Sequence, residues 1–297
     1  MKVAVVGFGM MGRQIAQVFA QNGNQVVATD EDQKALKSGM DEIANGPYGL
    51  KAAASKGKLT EEQASRALAN IRTSSILREA CADSNLVIEA AFESLPLKQD
   101  LFQKIESAAP LSATIASNTS TLSISDISSK TSNRDRVVGM HFFNPAQTTK
   151  LVEVVRGDAT SSETVQRVSQ IVRDLGKTPV LARDEPGFIA NRLGLTLYVE
   201  ASRLLEEGIA GLRDIDICMK LGYSHPMGPF ELADFVGLDT RLRNLESLHL
   251  STNDSKWIPP KILREMVQQG YLGDPTRRKE SKGGYYEYLR ERERVNP

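Results

Sequence analysis

Residues 2–30 read KVAVVGFGMMGRQIAQVFAQNGNQVVATD, and the order of features along them decides the fold. Residues 3–6 form an apolar run with the look of a buried strand. Gly7, Gly9 and Gly12 follow as GxGxxG, and Ile15, Val18 and Phe19 then recur at helical spacing as far as Gly23. A second apolar run at 26–28 ends at Asp30. Strand, glycine loop, helix, strand and acid in this order make a dinucleotide-binding unit. One glycine permits the tight turn, one lets the backbone approach a pyrophosphate, and one lets helix and strand pack closely. The start of the helix then faces the phosphates. Asp30, eighteen residues past Gly12, is placed to bind ribose hydroxyls. A carboxylate there repels a 2′-phosphate and no arginine follows closely, so the expected cofactor is NAD rather than NADP. The competing interpretation is a glycine-rich turn in another α/β protein, and the motif alone leaves FAD open.

Outward from this unit the alternation continues. Strand-like runs at 71–74, 85–90 and 113–116 are separated by helical stretches, including an amphipathic helix at 95–108 with Lys98 near its start. This is the pattern of a doubly wound, Rossmann-type parallel sheet. In such a sheet the loops at the carboxyl ends of strands line the ligand crevice, so Glu93, Lys98 and Ser120 are expected on the cofactor side. For Ser120 the alternative is a Ser/Thr-rich turn that only caps the helix from Ser123. A helix at 162–175 and a strand at 178–182 follow, and Asp184-Glu-Pro-Gly187 then breaks the chain.

No strand–helix alternation follows that break. The expected organisation is an α/β Rossmann-type domain at 1–185 and an all-α domain at 186–297. Residues 188–207, FIANRLGLTLYVEASRLLEE, read as one long helix, apolar on more than one face and so buried in a bundle or between subunits. Asn191 lies in its first turn, either as a packing contact or as a polar group reaching toward a cleft. Further helices are expected at 212–221, 228–235, 239–250 and 260–269. A basic loop spans 270–284, residues 285–288 close the fold, and the charged tail 290–294 carries no specific signal.

Residues 139–154, GMHFFNPAQTTKLVEV, hold one of the chain's three histidines. Residues 137–143 and 150–155 read as strands joined by a turn that Asn144 and Pro145 open. An antiparallel pair folded about Gln147 sets position 141 opposite position 153, each six residues from the centre. His141 and Glu153 are then neighbours. A carboxylate on one imidazole nitrogen fixes the tautomer and leaves the other nitrogen to exchange a proton. The plain alternative is a structural histidine at a sheet end. Residues 32–70 look mostly helical with a break at 45–47. The lysines 51, 56 and 58 there form either a solvated face or an arm that holds an anionic substrate.

Composition narrows the classes of partner. Of the residues 40% are hydrophobic and 25% charged, and the formal net charge is +0. Nothing in the global charge points to nucleic acid or to an anionic membrane. Cys81 and Cys218 stand far apart and in no metal-ligand spacing, which fits a reducing cytoplasm without disulfides or a metal site. No apolar stretch approaches the roughly 18 residues of a membrane span.

The chain resembles the L-3-hydroxyacyl-CoA dehydrogenase family, and within it the short bacterial 3-hydroxybutyryl-CoA dehydrogenases. The resemblance rests on GFGMMGRQIAQVFAQNG, SNTSTLSIS, GMHFFNP, KLVEVV, PGFIANRL, HPMGPFELADFVGLDT and GGYYEY, in order along nearly the whole sequence. It implies a catalytic set of His141, Glu153, Ser120 and Asn191. It implies NAD contacts at Gly7, Gly9, Gly12, Asp30, Glu93, Lys98, Ser120 and Asn144. It implies an acyl-CoA held by the arm with Lys51, Ser55, Lys56 and Lys58, and a homodimer formed through the helical domain. Two departures stand out: Gln147-Thr148-Thr149 is more polar than the family's usual segment, and the loop 273–282 is longer and more basic. The implied reaction is reversible hydride transfer between C3 of an L-3-hydroxyacyl-CoA and NAD, with His141 as the base and a cleft that closes between the domains. The rival expectations are a dehydrogenase of non-CoA hydroxy acids such as L-gulonate, and a dinucleotide-binding protein without turnover.

Overall fold

The computed structural model describes residues 1–295. Residues 296–297 of the expected helical domain, and the side chains of the charged tail beyond residue 291, lie outside the described residues. The chain divides into two compact units between Phe188 and Ile189.

The first unit is built on one eight-stranded sheet. Its strands are β1 (Lys2–Val6), β2 (Gln25–Thr29), β3 (Ile71–Ser74), β4 (Leu86–Glu89), β5 (Thr114–Ser117), β6 (Val137–Phe142), β7 (Leu151–Arg156) and β8 (Thr178–Arg183). Their order is β3-β2-β1-β4-β5-β6-β7-β8. The first six run parallel, β7 is antiparallel to β6, and β8 is parallel to β7. Helices cover both faces, so the central strands are apolar throughout rather than alternating. Val3 and Val5 join the core on one face with Ile15 and Phe19 of helix α1 (Met10–Gln21), while Ala4 and Val6 join the core on the other with Phe102 and Ile105. This period-two division follows from the strand geometry itself.

Local signals set the arm between β2 and β3. Its helices are Gln33–Asn45, Leu50–Ser55 and Glu61–Ala69, with the break at Gly46. Thr60 and Gln63 form a reciprocal capping box that starts the last of them. The β6–β7 hairpin has the register that symmetry about Gln147 predicts, with His141 opposite Glu153 and Gly139 opposite Val155.

The second unit is helical among its described residues, with Leu195, Tyr198, Phe230, Leu245, Trp257, Leu263 and Tyr285 at its core. Its first helix begins at Ala190 rather than 188, because Gly187 and Phe188 are consecutive left-handed residues with φ of 77° and 47°. Leu195, Tyr198 and Ala201 of this helix are buried, but Leu193 is 69% exposed. Leu193 is thus the one large apolar side chain of this helix that is exposed among the described residues. The basic loop folds back on its own unit: Arg278 pairs with Asp239 at 2.8 Å and Arg277 lies over the Phe235 ring. The closing segment extends beyond 288 as the helix Tyr285–Val295. Among the described residues no helix is long and apolar enough to cross a membrane.

Candidate active site

The glycine loop is shaped by contact distances. A Cβ on Gly12 would lie 1.9 Å from the Gly7 carbonyl oxygen, so helix and loop meet only without a side chain there. A Cβ on Gly9 would point into open space, which is where a pyrophosphate has to approach. Helix α1 starts at this point with no side-chain cap and no acidic residue in its first turn, so its first N–H groups are available to an anion. Asp30 has a second duty that its position in the sequence does not suggest. Its carboxylate accepts from Phe8 N at 2.7 Å and from Asp32 N at 2.9 Å, tying the loop to the end of β2. Loop, helix start and acid fit a dinucleotide.

At the end of β4 a buried ion pair supports the same crevice. Glu89 is fully buried and accepts from Lys98 Nζ at 2.6 Å, Ala91 N at 2.6 Å and Ser117 Oγ at 2.6 Å. Lys98 is buried too and also reaches Glu93 at 3.3 Å. Glu93 in turn accepts from Thr119 Oγ1 at 2.5 Å and from Ser120 N at 3.1 Å. Partial burial works to raise the Glu93 pKa, but the Lys98 charge and these hydrogen bonds outweigh it and hold the carboxyl below its ordinary value. Lys98 thus lies beneath the crevice floor and aligns Glu93, which is the group nearer the surface.

His141 on β6 joins three elements. Its Nδ1 lies 2.7 Å from Glu153 Oε2 on β7, and its Nε2 lies 3.1 Å from Ser120 Oγ in the loop after β5. Relative exposure is 4% for His141 and 1% for Glu153, so the carboxylate is screened little by water. A proton on Nδ1 directed at Glu153 leaves the Nε2 lone pair facing Ser120. The helix Ile124–Ile127 is capped by the side chain of Ser123, so the capping alternative does not apply to Ser120. Two phenyl rings lie against the imidazole, Phe143 at 4.4 Å and Phe188 at 5.8 Å between centroids.

Several supporting residues carry no motif. Gln14 of α1 donates to Asn144 Oδ1 at 3.0 Å and accepts from Ala146 N at 2.7 Å. Gln17, one turn on, accepts from Gln147 Nε2 at 2.9 Å. Lys177, just before β8, donates to the carbonyls of Ala146 and Thr149 at 2.6 and 2.7 Å. Burial without an acidic partner pulls the Lys177 pKa down. Asn118 accepts from Phe142 N, and Asp184 accepts from Ser123 Oγ, Ile124 N and Ser125 N. The turn after His141 is therefore held from both sides. The available sequence signal was weak: two glutamines on the packed face of α1, and charged residues next to strand ends.

In the arm, Lys56 and Lys58 line a recess of about 360 Å³ together with Tyr48, Leu59, Gln147 and Thr148. Lys51 and Ser55 are exposed and are not among its lining residues; the Ser55 hydroxyl donates to Ala52 O instead. The polar departure after Asn144-Pro145 thus meets two of the four expected arm residues. Asn191 is the second residue of the helix Ala190–Glu206 in the helical unit.

Residues 2–185 match the model of the 3-hydroxyacyl-CoA dehydrogenase NAD binding domain, and residues 187–288 match that family's C-terminal domain. A probable 3-hydroxybutyryl-CoA dehydrogenase of Bacillus subtilis is 41% identical over 287 residues, covering 97% of each chain. The crystal structure of M. tuberculosis FadB2 superposes with a TM-score of 0.89 at 35% identity, covering 95% of this chain and 96% of that one. That of (S)-3-hydroxybutyryl-CoA dehydrogenase PaaH1 from Ralstonia eutropha gives 0.85 at 41% identity, covering 93% and 96%. The chain belongs to the 3-hydroxyacyl-CoA dehydrogenase family, and NAD is its cofactor.

Proposed function

We propose that this family member is an NAD-dependent oxidoreductase that interconverts L-3-hydroxyacyl-CoA and 3-ketoacyl-CoA, with 3-hydroxybutyryl-CoA as the representative short substrate. The observation that carries the reading is the line Glu153–His141–Ser120, with gaps of 2.7 and 3.1 Å, in the unit that holds the glycine loop. When bound, NAD accepts or returns the hydride. In the oxidation direction, His141 Nε2 takes the proton of the substrate hydroxyl, and Glu153 stabilises the imidazolium that results. Ser120 Oγ hydrogen-bonds the oxygen at C3. Asp30 binds the ribose hydroxyls, Glu93 and Asn144 flank the nicotinamide side, and Gly7, Gly9 and Gly12 admit the pyrophosphate. The CoA phosphates are held from the arm, where Lys56 and Lys58 on the recess wall support the assignment more than Lys51 and Ser55 do.

A second copy of the chain is the natural partner of the helical unit. Leu193, Leu221, Tyr223 and Leu250 expose 69–84% of their area there, apolar side chains of the type that homodimers bury. The free cysteines, Cys81 buried and Cys218 exposed, fit a cytoplasmic setting.

The test is NADH consumption with acetoacetyl-CoA, with free acetoacetate as the control. Turnover with the thioester alone is the expected result. NADH consumption with free keto acids instead would move the assignment to the non-CoA branch, toward which the polar Gln147 and Thr148 in the recess would then point.

A further inference from the structure

Phe188 holds a conformation that bulky side chains avoid. Its φ is +47°, in the left-handed region, and it follows Gly187 at φ +77°. Non-glycine residues kept there against strain mark places where the surroundings over-determine the backbone, often next to reacting groups. The surroundings here are explicit. Asp184 is clamped by Ser123 Oγ, Ile124 N and Ser125 N at 2.7–2.8 Å, Phe188 N closes the turn onto Glu185 O at 2.9 Å, and the phenyl ring is 5% exposed. The ring lies 5.8 Å from the His141 imidazole, tilted by 58°.

The two hydrogen bonds of His141 leave one motion unopposed. Bonds at Nδ1 and Nε2 fix a line across the ring, and the imidazole can still tilt about that line. Tilting swings the Nε2 lone pair out of the direction in which it must meet a substrate hydroxyl. When Ser120 turns its hydroxyl to the substrate, even the bond at Nε2 is given up. Rings packed against the imidazole oppose the tilt, and Phe143 and Phe188 are the two aromatic rings in that position among the described residues.

We propose that Phe188 is a positioning residue for His141: the left-handed turn after Asp184 exists to bring its ring against the imidazole and fix the plane in which Nε2 exchanges its proton. The proposal rests on the reading of His141 as the base. It predicts that removing the ring slows the proton-transfer step without weakening either ligand.

The test compares Phe188→Gly, Phe188→Tyr and His141→Asn with the parent enzyme, well below their melting temperatures. Glycine relaxes the left-handed backbone, so it separates loss of the ring from strain. The expected result is that Phe188→Gly lowers kcat about ten- to hundredfold, the range for a misplaced catalytic group. KM for acetoacetyl-CoA and Kd for NADH should stay within about twofold, and the solvent deuterium isotope effect on kcat should rise. Phe188→Tyr should restore most of the rate. A purely structural role would lower the melting temperature and leave kcat per folded enzyme at the parent value. That result, with His141→Asn inactive, overturns the proposal. If His141→Asn keeps turnover, the reading of the base falls and the proposal with it. Should Phe188→Gly not fold, Phe188→Leu keeps the volume, loses the flat ring and is judged by the same split.

Discussion

Buried charge is handled differently at the Glu89–Lys98 and His141–Glu153 pairs of the first unit and in the core of the second, although Lys177 of the first unit is also buried without an acidic partner. In the first, Glu89 and Lys98 are both buried and lie 2.6 Å apart, and the buried His141 has Glu153 at 2.7 Å. In the second, Arg241 is only 5% exposed, yet its guanidinium lies over the Tyr198 ring at 5.1 Å with no acidic partner among the described residues. Its Nε has no hydrogen-bond partner, and burial pulls its pKa down. Asp234 nearby in sequence is worse placed still. Burial pushes its pKa up to about 7, the N–H of Tyr285 opposes this, and Glu287, Asp216 and Asp274 add to the rise. Pairing fixes both the charge and the position of a group, which a site for proton transfer needs. A helical packing unit tolerates an unpaired charge, and its stability then varies with pH.

The pairing in the first unit is broken most severely at its centre. His141→Ala should lower turnover by about 10²–10⁴-fold while NADH binding stays near normal, measured by steady-state kinetics and NADH fluorescence titration. Glu153→Gln should also lose roughly a hundredfold or more, because the imidazolium is no longer stabilised. Unchanged turnover in either variant would remove the catalytic meaning of the pair. Lys98→Met leaves Glu89 buried beside no cation. Loss of about 3–5 kcal/mol in a denaturant titration is expected, the usual cost of removing one partner of a buried pair.

The second unit sharpens the contrast through pH. Folded Asp234 holds its proton up to pH about 7, whereas an unfolded aspartate releases it near the ordinary 3.8. The folded state therefore binds more protons in between, so this contribution is complete below pH 3.8 and is lost as pH rises through about 7. Melting curves from pH 5 to 8 should show the parent losing stability relative to Asp234→Asn, by up to about 1.4 kcal/mol per pH unit. Parallel curves would show that the carboxyl is not protonated in the folded chain. The smallest effect is expected at Arg241→Met. Replacing an unpaired buried cation by an apolar chain should raise the melting temperature by an amount equivalent to about 1 kcal/mol. A lower melting temperature would mean that the Tyr198 ring and the Gly194 carbonyl compensate the charge fully.

Much of the site could be read from short-range pattern. GxGxxG with Asp30 at its spacing specifies the loop, and counting outward from Gln147 gives the opposition of His141 and Glu153 that the register has. What pattern could not supply was reach across the chain. Gln14 meets Asn144 across 130 positions, and Asp184 meets Ser123 across 61. A side chain's partner at that separation depends on how strands stack, and no local period encodes it. The arm is intermediate: its lysines were visible, but the turn through Gly57 after the helix Leu50–Ser55 brings Lys56 and Lys58 to the recess, while Lys51 within the helix is not in its lining.

The sequence by itself determined the dinucleotide fold and the opposition of His141 and Glu153 across a hairpin, because each follows from periodicity, glycine sterics or strand symmetry over a few residues. Only the tertiary structure decided that Lys98 lies beneath the crevice, that Ser120 faces His141 instead of capping a helix, and that Phe188 turns left-handed to meet the imidazole. Those outcomes depend on which groups the packed core leaves without water, and burial is a property of the whole chain.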